Sequence, residues 1–369
     1  MNDLPQIDNY ADLFITNTPL LDVRAPIEYN KGAFPHSQNH PLMNDNERED
    51  IGLCYKQKGQ EQAIARGHQL IQGALKAERV AHWKNFVKQF PNGVLYCFRG
   101  GMRSKISQQW IYEATGIKYP RIKGGYKAMR RFLIDQLALS VENIQPLLLG
   151  GQTGIGKTLL LQTMDQKIDL EGLFHHRGSV FGSHITPQPS QIDIENSLSI
   201  ELLKLSKKYQ TLLFEDEGTR IGSRMIPDIL YQKMKESPLI MLEATIEERI
   251  DITYQEYINE SLGQYQRAYG KEKGFAAWAD QLHLAFDKIQ RRLGGDRYKA
   301  LKAILSDAIL LQKTSDDAEH HKMWIKKLLI DYYDPMYDFQ NNKKAKQIAF
   351  KGNKNEVLSY LQETYQIHV

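Results

Sequence analysis

The sequence predicts an α/β protein in two parts, each a parallel sheet covered by helices, the second ending in a largely helical C-terminal region. Three observations predict it. Short apolar runs alternate with amphipathic stretches, as strands alternate with the helices that cover a parallel sheet. Two glycine-rich loops, 97–104 and 151–158, each follow an apolar run and open a helical pattern. From Ile246 onward the pattern is mostly helical. The first part is expected over residues 1–138 and the second over 139–369.

Taken in order, Pro19-Leu20-Leu21-Asp22-Val23-Arg24 reads as a short buried strand ending in charge. Residues 59–90 carry helix formers with Ile64, Leu70, Ile71, Leu75, Val80, Phe86 and Val87 at helical spacing. Val94-Leu95-Tyr96 is the strand before the cysteine loop, and 104–114 is a helix whose apolar face is Ile106, Trp110, Ile111 and Ala114. Gly116 stops it. Pro146 opens a new strand, Leu147-Leu148-Leu149, which runs into the second loop and a helix over 159–164. Two further strands end in acids: Thr211-Leu212-Leu213-Phe214 before Glu215-Asp216-Glu217, and Leu239-Ile240-Met241-Leu242 before Glu243.

A length of 369 residues suits two domains, and 41% hydrophobic with 25% charged residues is ordinary for a globular chain. Two cysteines exclude a disulfide framework and suit a reducing cytosol. Met1-Asn2-Asp3-Leu4-Pro5 has no basic-then-apolar signal pattern, and no apolar run is long enough to span a bilayer. A cytoplasmic location without a membrane partner is expected. The net charge of +4 says little, but its distribution says more. Lys288, Arg291, Arg292, Arg297, Lys299 and Lys302 cluster, as do Lys343, Lys344, Lys346, Lys351 and Lys354. These are either solvated helix faces or a footprint for nucleic-acid phosphates.

The second loop fits G-x-x-x-x-G-K-[ST] in full, between a strand and a helix. Gly151, Gly154 and Gly156 let backbone N–H groups approach phosphate oxygens, Lys157 adds a point charge, and Thr158 is a candidate Mg²⁺ ligand. The loop needs a di- or triphosphate, which need not be a nucleotide. In the acidic triplet, Asp216 or Glu217 is the candidate general acid/base or, through water, a Mg²⁺ ligand. In the first loop, Cys97 at a strand end, with Arg99, Gly100, Gly101 and Arg103 after it, reads as a reactive thiolate in a cradle that binds oxyanions. Cys54 lacks such surroundings and reads as structural. In His175-His176-Arg177-Gly178-Ser179, Arg177 is a candidate phosphate or substrate contact, and nothing has paired zinc-ligand spacing.

Asp22-Val23-Arg24, the cysteine loop and Lys123-Gly124-Gly125-Tyr126 together resemble a rhodanese domain, whose loop cysteine carries sulfur as a persulfide. One departure stands out: Arg103 is six positions after Cys97, the spacing of tyrosine-phosphatase-like loops, where rhodaneses use five. A rhodanese-like domain followed by a phosphate-loop domain resembles the tRNA 2-selenouridine synthase family. The matching stretches include Ile27-Glu28-Tyr29, Pro41-Leu42-Met43-Asn44, Cys54-Tyr55-Lys56-Gln57, Gly124-Gly125-Tyr126-Lys127, Asp169-Leu170-Glu171-Gly172-Leu173, His176-Arg177-Gly178-Ser179 and Tyr332-Tyr333-Asp334-Pro335-Met336-Tyr337, besides both loops and the acidic triplet. After that triplet the family has Ser-Arg, whereas this chain has Gly218-Thr219 and then Arg220.

The resemblance implies a transferase acting on the wobble uridine, in the anticodon loop, of tRNAs for lysine, glutamate and glutamine. Selenium from selenophosphate replaces the sulfur of 2-thiouridine, after a geranyl group from geranyl diphosphate has been attached to that sulfur. The 151–158 loop would then hold the diphosphate, the Cys97 loop would serve selenophosphate, and Arg291, Arg292, Arg297 and Lys299 would contact tRNA. The apolar stretch 282–289 would anchor their helix, leaving them outward. Neither DNA nor a membrane is an implied partner. Two rivals remain: a cysteine-dependent phosphatase or sulfurtransferase fused to an NTPase, and a non-enzymatic, nucleotide-switched binding module.

Overall fold

The computed structural model describes residues 4–344 and 347–367. The chain forms two compact units: the chain up to Glu142 together with Ser190–Lys207, and Asn143–Pro189 together with the chain from Lys208.

The first unit is built on five parallel strands: β1 (Gln6–Ile7), β2 (Leu20–Asp22), β3 (Ser37–Asn39), β4 (Val94–Tyr96) and β5 (Arg121–Ile122). Their order is β1-β5-β4-β2-β3, so the chain runs across the sheet from β1 through β2 to the edge at β3 and then returns inward through β4 to β5. Period-two alternation divides the core. Leu21, Leu95 and Cys97 face Trp83, Phe86 and Trp110 of the helices Gly73–Gln89 and Met102–Thr115. Leu20, Val94 and Tyr96 face Phe14, Met129 and Leu133 of the helices Tyr10–Ile15 and Gly125–Asn143.

That second face is completed by the helix Gln191–Leu205, whose Ile200 and Leu203 join the same cluster. The helix starts at a capping box formed by Ser190 and Asp193. Asp193 also accepts the Ala33 N–H at 2.7 Å. A single boundary after residue 138 does not provide for this return of the chain. Amphipathic spacing identifies a helix, but not the sheet it covers.

The second unit has β6 (Gln145–Gly150), β7 (Lys167–Ile168), β8 (Thr211–Glu215), β11 (Leu239–Leu242) and β12 (Ile348–Gly352), all parallel in the order β12-β11-β6-β8-β7, with β9 (Arg220–Ile221) and β10 (Arg224–Met225) as a separate antiparallel pair. The helical region follows as expected. Ile246–Tyr254, Lys271–Leu293, Gly295–Ser315 and His321–Leu328 pack around Trp278, Phe286 and Trp324. The edge strand β12 lies beyond this region and adds to the sheet beside β11. Among the described residues no helix is long and apolar enough to cross a membrane.

Candidate functional site

Cys97 follows β4 directly and is 2% exposed. Its thiol donates to Ser104 Oγ at 3.2 Å, and that hydroxyl donates to the Gly101 carbonyl at 3.0 Å. The loop is held from behind by the turn at Gly124-Gly125. Tyr126 N–H donates to the Cys97 carbonyl and Lys127 N–H to that of Phe98, both at 2.9 Å. Gly125 has φ +58°, and a Cβ there would lie 2.2 Å from the Cys97 oxygen and 2.5 Å from the Gly100 nitrogen. Only glycine fits so close an approach in that conformation.

The two loop arginines differ. Arg99 is exposed. Arg103 donates through both Nη atoms to Glu28, so the cation that the six-residue spacing offered for an anion is committed to a carboxylate. Burial pushes the Glu28 pKa up, but Arg103, the Ala25 N–H and Arg48 together hold the carboxyl below its usual range. Beneath the loop, Arg24 is paired with Asp22, donates to the Gly32 carbonyl and stacks on Tyr126, while Tyr96 donates to Asp22 at 2.7 Å. This buried network ties the ends of β2 and β4 together. It shows why an Asp-x-Arg segment precedes the cysteine loop.

In the second unit the phosphate loop joins β6 to the helix Lys157–Gln162. Gly154 has φ +74°, and a Cβ there would meet Thr253 Oγ1 at 2.2 Å. Lys157 Nζ donates to the Gly151 carbonyl at 3.1 Å. The buried Arg249 braces the loop by donating to the Thr153 carbonyl at 3.0 Å and to Gln152 Oε1 at 2.8 Å. Its other contacts go to Asp334, at 2.6 and 3.0 Å. The Tyr332–Tyr337 motif is thereby linked to the loop, a relation no local pattern carries.

Expectation and structure part at the acids. The strand-end acid that reaches Thr158 is Glu215, with Glu171 beside it. Thr158 Oγ1 lies 3.2 Å from Glu215 Oε1 and 3.1 Å from Glu171 Oε2. Glu215 also accepts the Leu170 N–H at 2.9 Å and the Glu171 N–H at 3.2 Å. Burial, then the neighbouring Glu171 charge, pushes Glu215 well above the usual carboxylate range, and burial raises Glu171 as well. Asp216 and Glu217 instead line an open pocket of about 290 Å³ together with Lys157, Arg177 and Arg220. Arg220 is thus at the pocket despite the altered residues before it. Glu256, also in the wall, is pushed up to about 7 by burial, with Arg177 opposing.

Among the described residues no cluster of three or more His, Cys, Asp or Glu is placed to hold a metal. Mg²⁺ at phosphate sites needs only one or two protein oxygens, the rest coming from phosphate and water. Thr158 and Glu215 fit that donor set, in place of the expected Asp216 or Glu217. His175 and His184 stack with centroids 4.1 Å apart, and burial lowers His184 to about 4, so it stays neutral near pH 7.

The titration of Glu256 makes a prediction. Below about pH 7 its carboxyl is neutral, and above it the pocket gains a negative charge facing any bound polyanion. Inorganic pyrophosphate should therefore bind more weakly relative to the Glu256→Gln variant as pH rises from 6 to 8, by about tenfold for a charge at this range. Comparing the two proteins cancels the ligand's own ionisation. Parallel pH curves by calorimetry would remove Glu256 from the site.

The helices Lys271–Leu293 and Gly295–Ser315 form a hairpin at Gly294. Leu282, Phe286, Ile289 and Leu293 are buried, while Arg291, Arg292, Arg297 and Lys299 are exposed. Lys302 pairs with Asp287, and Lys351 pairs with Glu243 at 2.8 Å. Lys346 lies outside the described residues, and only the backbone of Lys343 and Lys344 is described, at the end of the helix Asp334–Lys344.

Fold and loops define a phosphate-loop α/β protein joined to a parallel-sheet unit with a cysteine loop. Residues 144–367 match the family model described as the tRNA 2-selenouridine synthase AAA domain. A tRNA 2-selenouridine synthase of Sulfurovum sp. is 46% identical over 364 residues, 98% of this chain and 100% of that protein. Proteins of the same name from Marinobacter nauticus and Pseudomonas aeruginosa are each 48% identical, covering 95% and 96% of this chain and 96% of each relative. The chain belongs to the tRNA 2-selenouridine synthase family.

Proposed function

We propose that the protein is a tRNA 2-selenouridine synthase, a transferase that exchanges the sulfur of 2-thiouridine at the tRNA wobble position for selenium. One observation carries this reading: the likeness to a protein of that name runs over 364 residues, 98% of this chain, a span that cannot omit either loop.

In this reading geranyl diphosphate supplies a geranyl group to the thiouridine sulfur. The diphosphate leaves at the 151–158 loop, where backbone N–H groups and Lys157 stabilise the developing charge. Thr158 and Glu215 would hold Mg²⁺, which would supply further charge neutralisation when bound. Selenophosphate is then taken at the Cys97 loop, with Arg99 as the available cation. Over the second stage, S-geranyl-2-thiouridine, selenophosphate and water give 2-selenouridine, geranylthiol and phosphate. The C2–S bond breaks with its electron pair on sulfur, which takes a proton. A C2–Se bond forms, and water cleaves Se–P. No net oxidation or reduction occurs.

The experiment is mass spectrometry of nucleosides from tRNA for lysine, glutamate or glutamine, incubated with the protein, geranyl diphosphate and selenophosphate. The expected product is 2-selenouridine, with the S-geranylated nucleoside when selenophosphate is withheld. Phosphate release from simple esters, with the tRNA unchanged, would overturn the reading.

The anticodon loop can splay its bases for individual reading, while affinity rests largely on phosphates. The double variant Arg291→Ala, Arg292→Ala should bind tRNA more weakly. Its log–log salt slope should be shallower by about 0.7–0.9 per lost contact. Unchanged affinity and slope would make this hairpin a solvated face.

A further inference from the structure

The first unit contains an apolar cavity of about 800 Å³ that opens beside the cysteine loop. It lies within the range of roughly 300–1,000 Å³ usual for small-molecule sites. The helix Asp45–Leu70 breaks at Gly59, where φ is +82°, and gives the cavity two walls. Ile51 lines it from the first arm, and Ala63 and Ile64 from the second. A further wall is Met102, Ile106 and Trp110 of the helix Met102–Thr115, which begins where the cysteine loop ends, and Leu42, Met43 and Ile71 also line the cavity.

Its mouth is basic. Arg48, Lys56 and Arg99 line it, and Glu28, the one carboxylate among the lining residues, is held by Arg103. Arg48 Nε is buried without a hydrogen-bond partner. An apolar interior beside four cations and one carboxylate matches a ligand with an apolar body and an anionic attachment. A purely apolar peptide segment would leave those cations unanswered.

We propose that this cavity receives the geranyl chain of S-geranylated tRNA during the selenium step, with Arg48 and Lys56 meeting the phosphates that flank the modified base and Arg99 left to selenophosphate. This rests on the function proposed above, and it adds a location for the chain. The ten-carbon chain is the only large apolar group on an otherwise polyanionic substrate. Seating it beside the Cys97 loop would set its C2–S bond near the selenophosphate site and give the departing geranylthiol a place outside water.

The test uses the full chain and two synthetic anticodon-stem-loop RNAs, one carrying S-geranyl-2-thiouridine and one carrying S-methyl-2-thiouridine. Equilibrium binding of each is measured alongside 2-selenouridine formation. The wild type should prefer the geranylated RNA by about tenfold or more, since even one methylene in an apolar pocket is worth about that factor. Ala63→Phe, which fills the cavity, should bring the ratio toward one and leave affinity for the methylated RNA unchanged. Ile106→Trp, from the facing wall, should do the same, and it decides the matter if circular dichroism shows Ala63→Phe to be misfolded. A geranyl preference that persists in the folded variants, or none in the wild type, overturns the proposal. A wild-type preference that the variants abolish, without 2-selenouridine formation, would support the cavity assignment and defeat the functional reading instead.

Discussion

Replacing Cys97 with alanine should abolish 2-selenouridine formation while geranyl transfer to tRNA proceeds at the wild-type rate. The sulfur sits at the end of β4, in a loop held by the glycine turn at 124–125, and belongs to a different compact unit from the phosphate loop. Geranyl transfer needs only the tRNA sulfur and a site for diphosphate. S-geranylated tRNA should therefore accumulate in the variant. Because Cys97 is a core residue, the loss must be separated from destabilisation. A small buried truncation typically costs about 1 kcal/mol, which shifts a melting temperature by only a few degrees. Cys97→Ser keeps a hydroxyl able to donate to Ser104 and should be equally inactive in selenium transfer, whereas Cys54→Ala should be active. The readout is mass spectrometry of digested tRNA. Normal 2-selenouridine from Cys97→Ala would remove the thiol from the reaction.

Much of this chemistry is legible in the sequence because it is written in glycines. Gly100, Gly125 and Gly154 occupy positive-φ positions, and a Cβ at any of them would strike another group within 3 Å. Such positions leave fixed spacings that a reader can match. The Asp22-Val23-Arg24 segment was likewise visible, although its role as a buried tie between β2 and β4 was not. The acids were less legible. β8 is buried on both faces, so period-two alternation gives no direction for the triplet at its end. What turns Glu215 inward is the start of the helix Leu170–Phe174, whose N–H groups it accepts. Glu171 carried one signal: it lies in the first turn of a helix capped by Asp169. The pair Arg249–Asp334 spans 85 residues and left none. The same holds for Gln191–Leu205, an amphipathic helix whose destination is set by Leu133 and Phe14 far earlier in the chain.

Substituting Lys157 with alanine should cut geranyl transfer by about 100- to 1,000-fold, the usual effect of losing one donor to a developing anion, or roughly 2.7–4 kcal/mol. Its ammonium is parked on the Gly151 carbonyl at 3.1 Å, within the loop that a diphosphate would enter. The loss has a second component. The Lys157 charge also lowers the pKa of Glu171 and Glu256, each of which burial raises. Without it both carboxyls titrate still higher. For Glu256 this means the acid stays neutral further up the pH scale, so the variant should lose less of its pyrophosphate affinity between pH 6 and 8 than the wild type does. Rate and pH profile together separate a leaving-group contact from general disruption of the loop, which would depress binding equally at every pH. Selenium transfer from chemically prepared S-geranylated tRNA should continue in Lys157→Ala, because the proposed reaction assigns that stage to the Cys97 loop. If the variant loses ATP binding while geranyl transfer is unchanged, the loop serves a nucleotide and the diphosphate assignment fails.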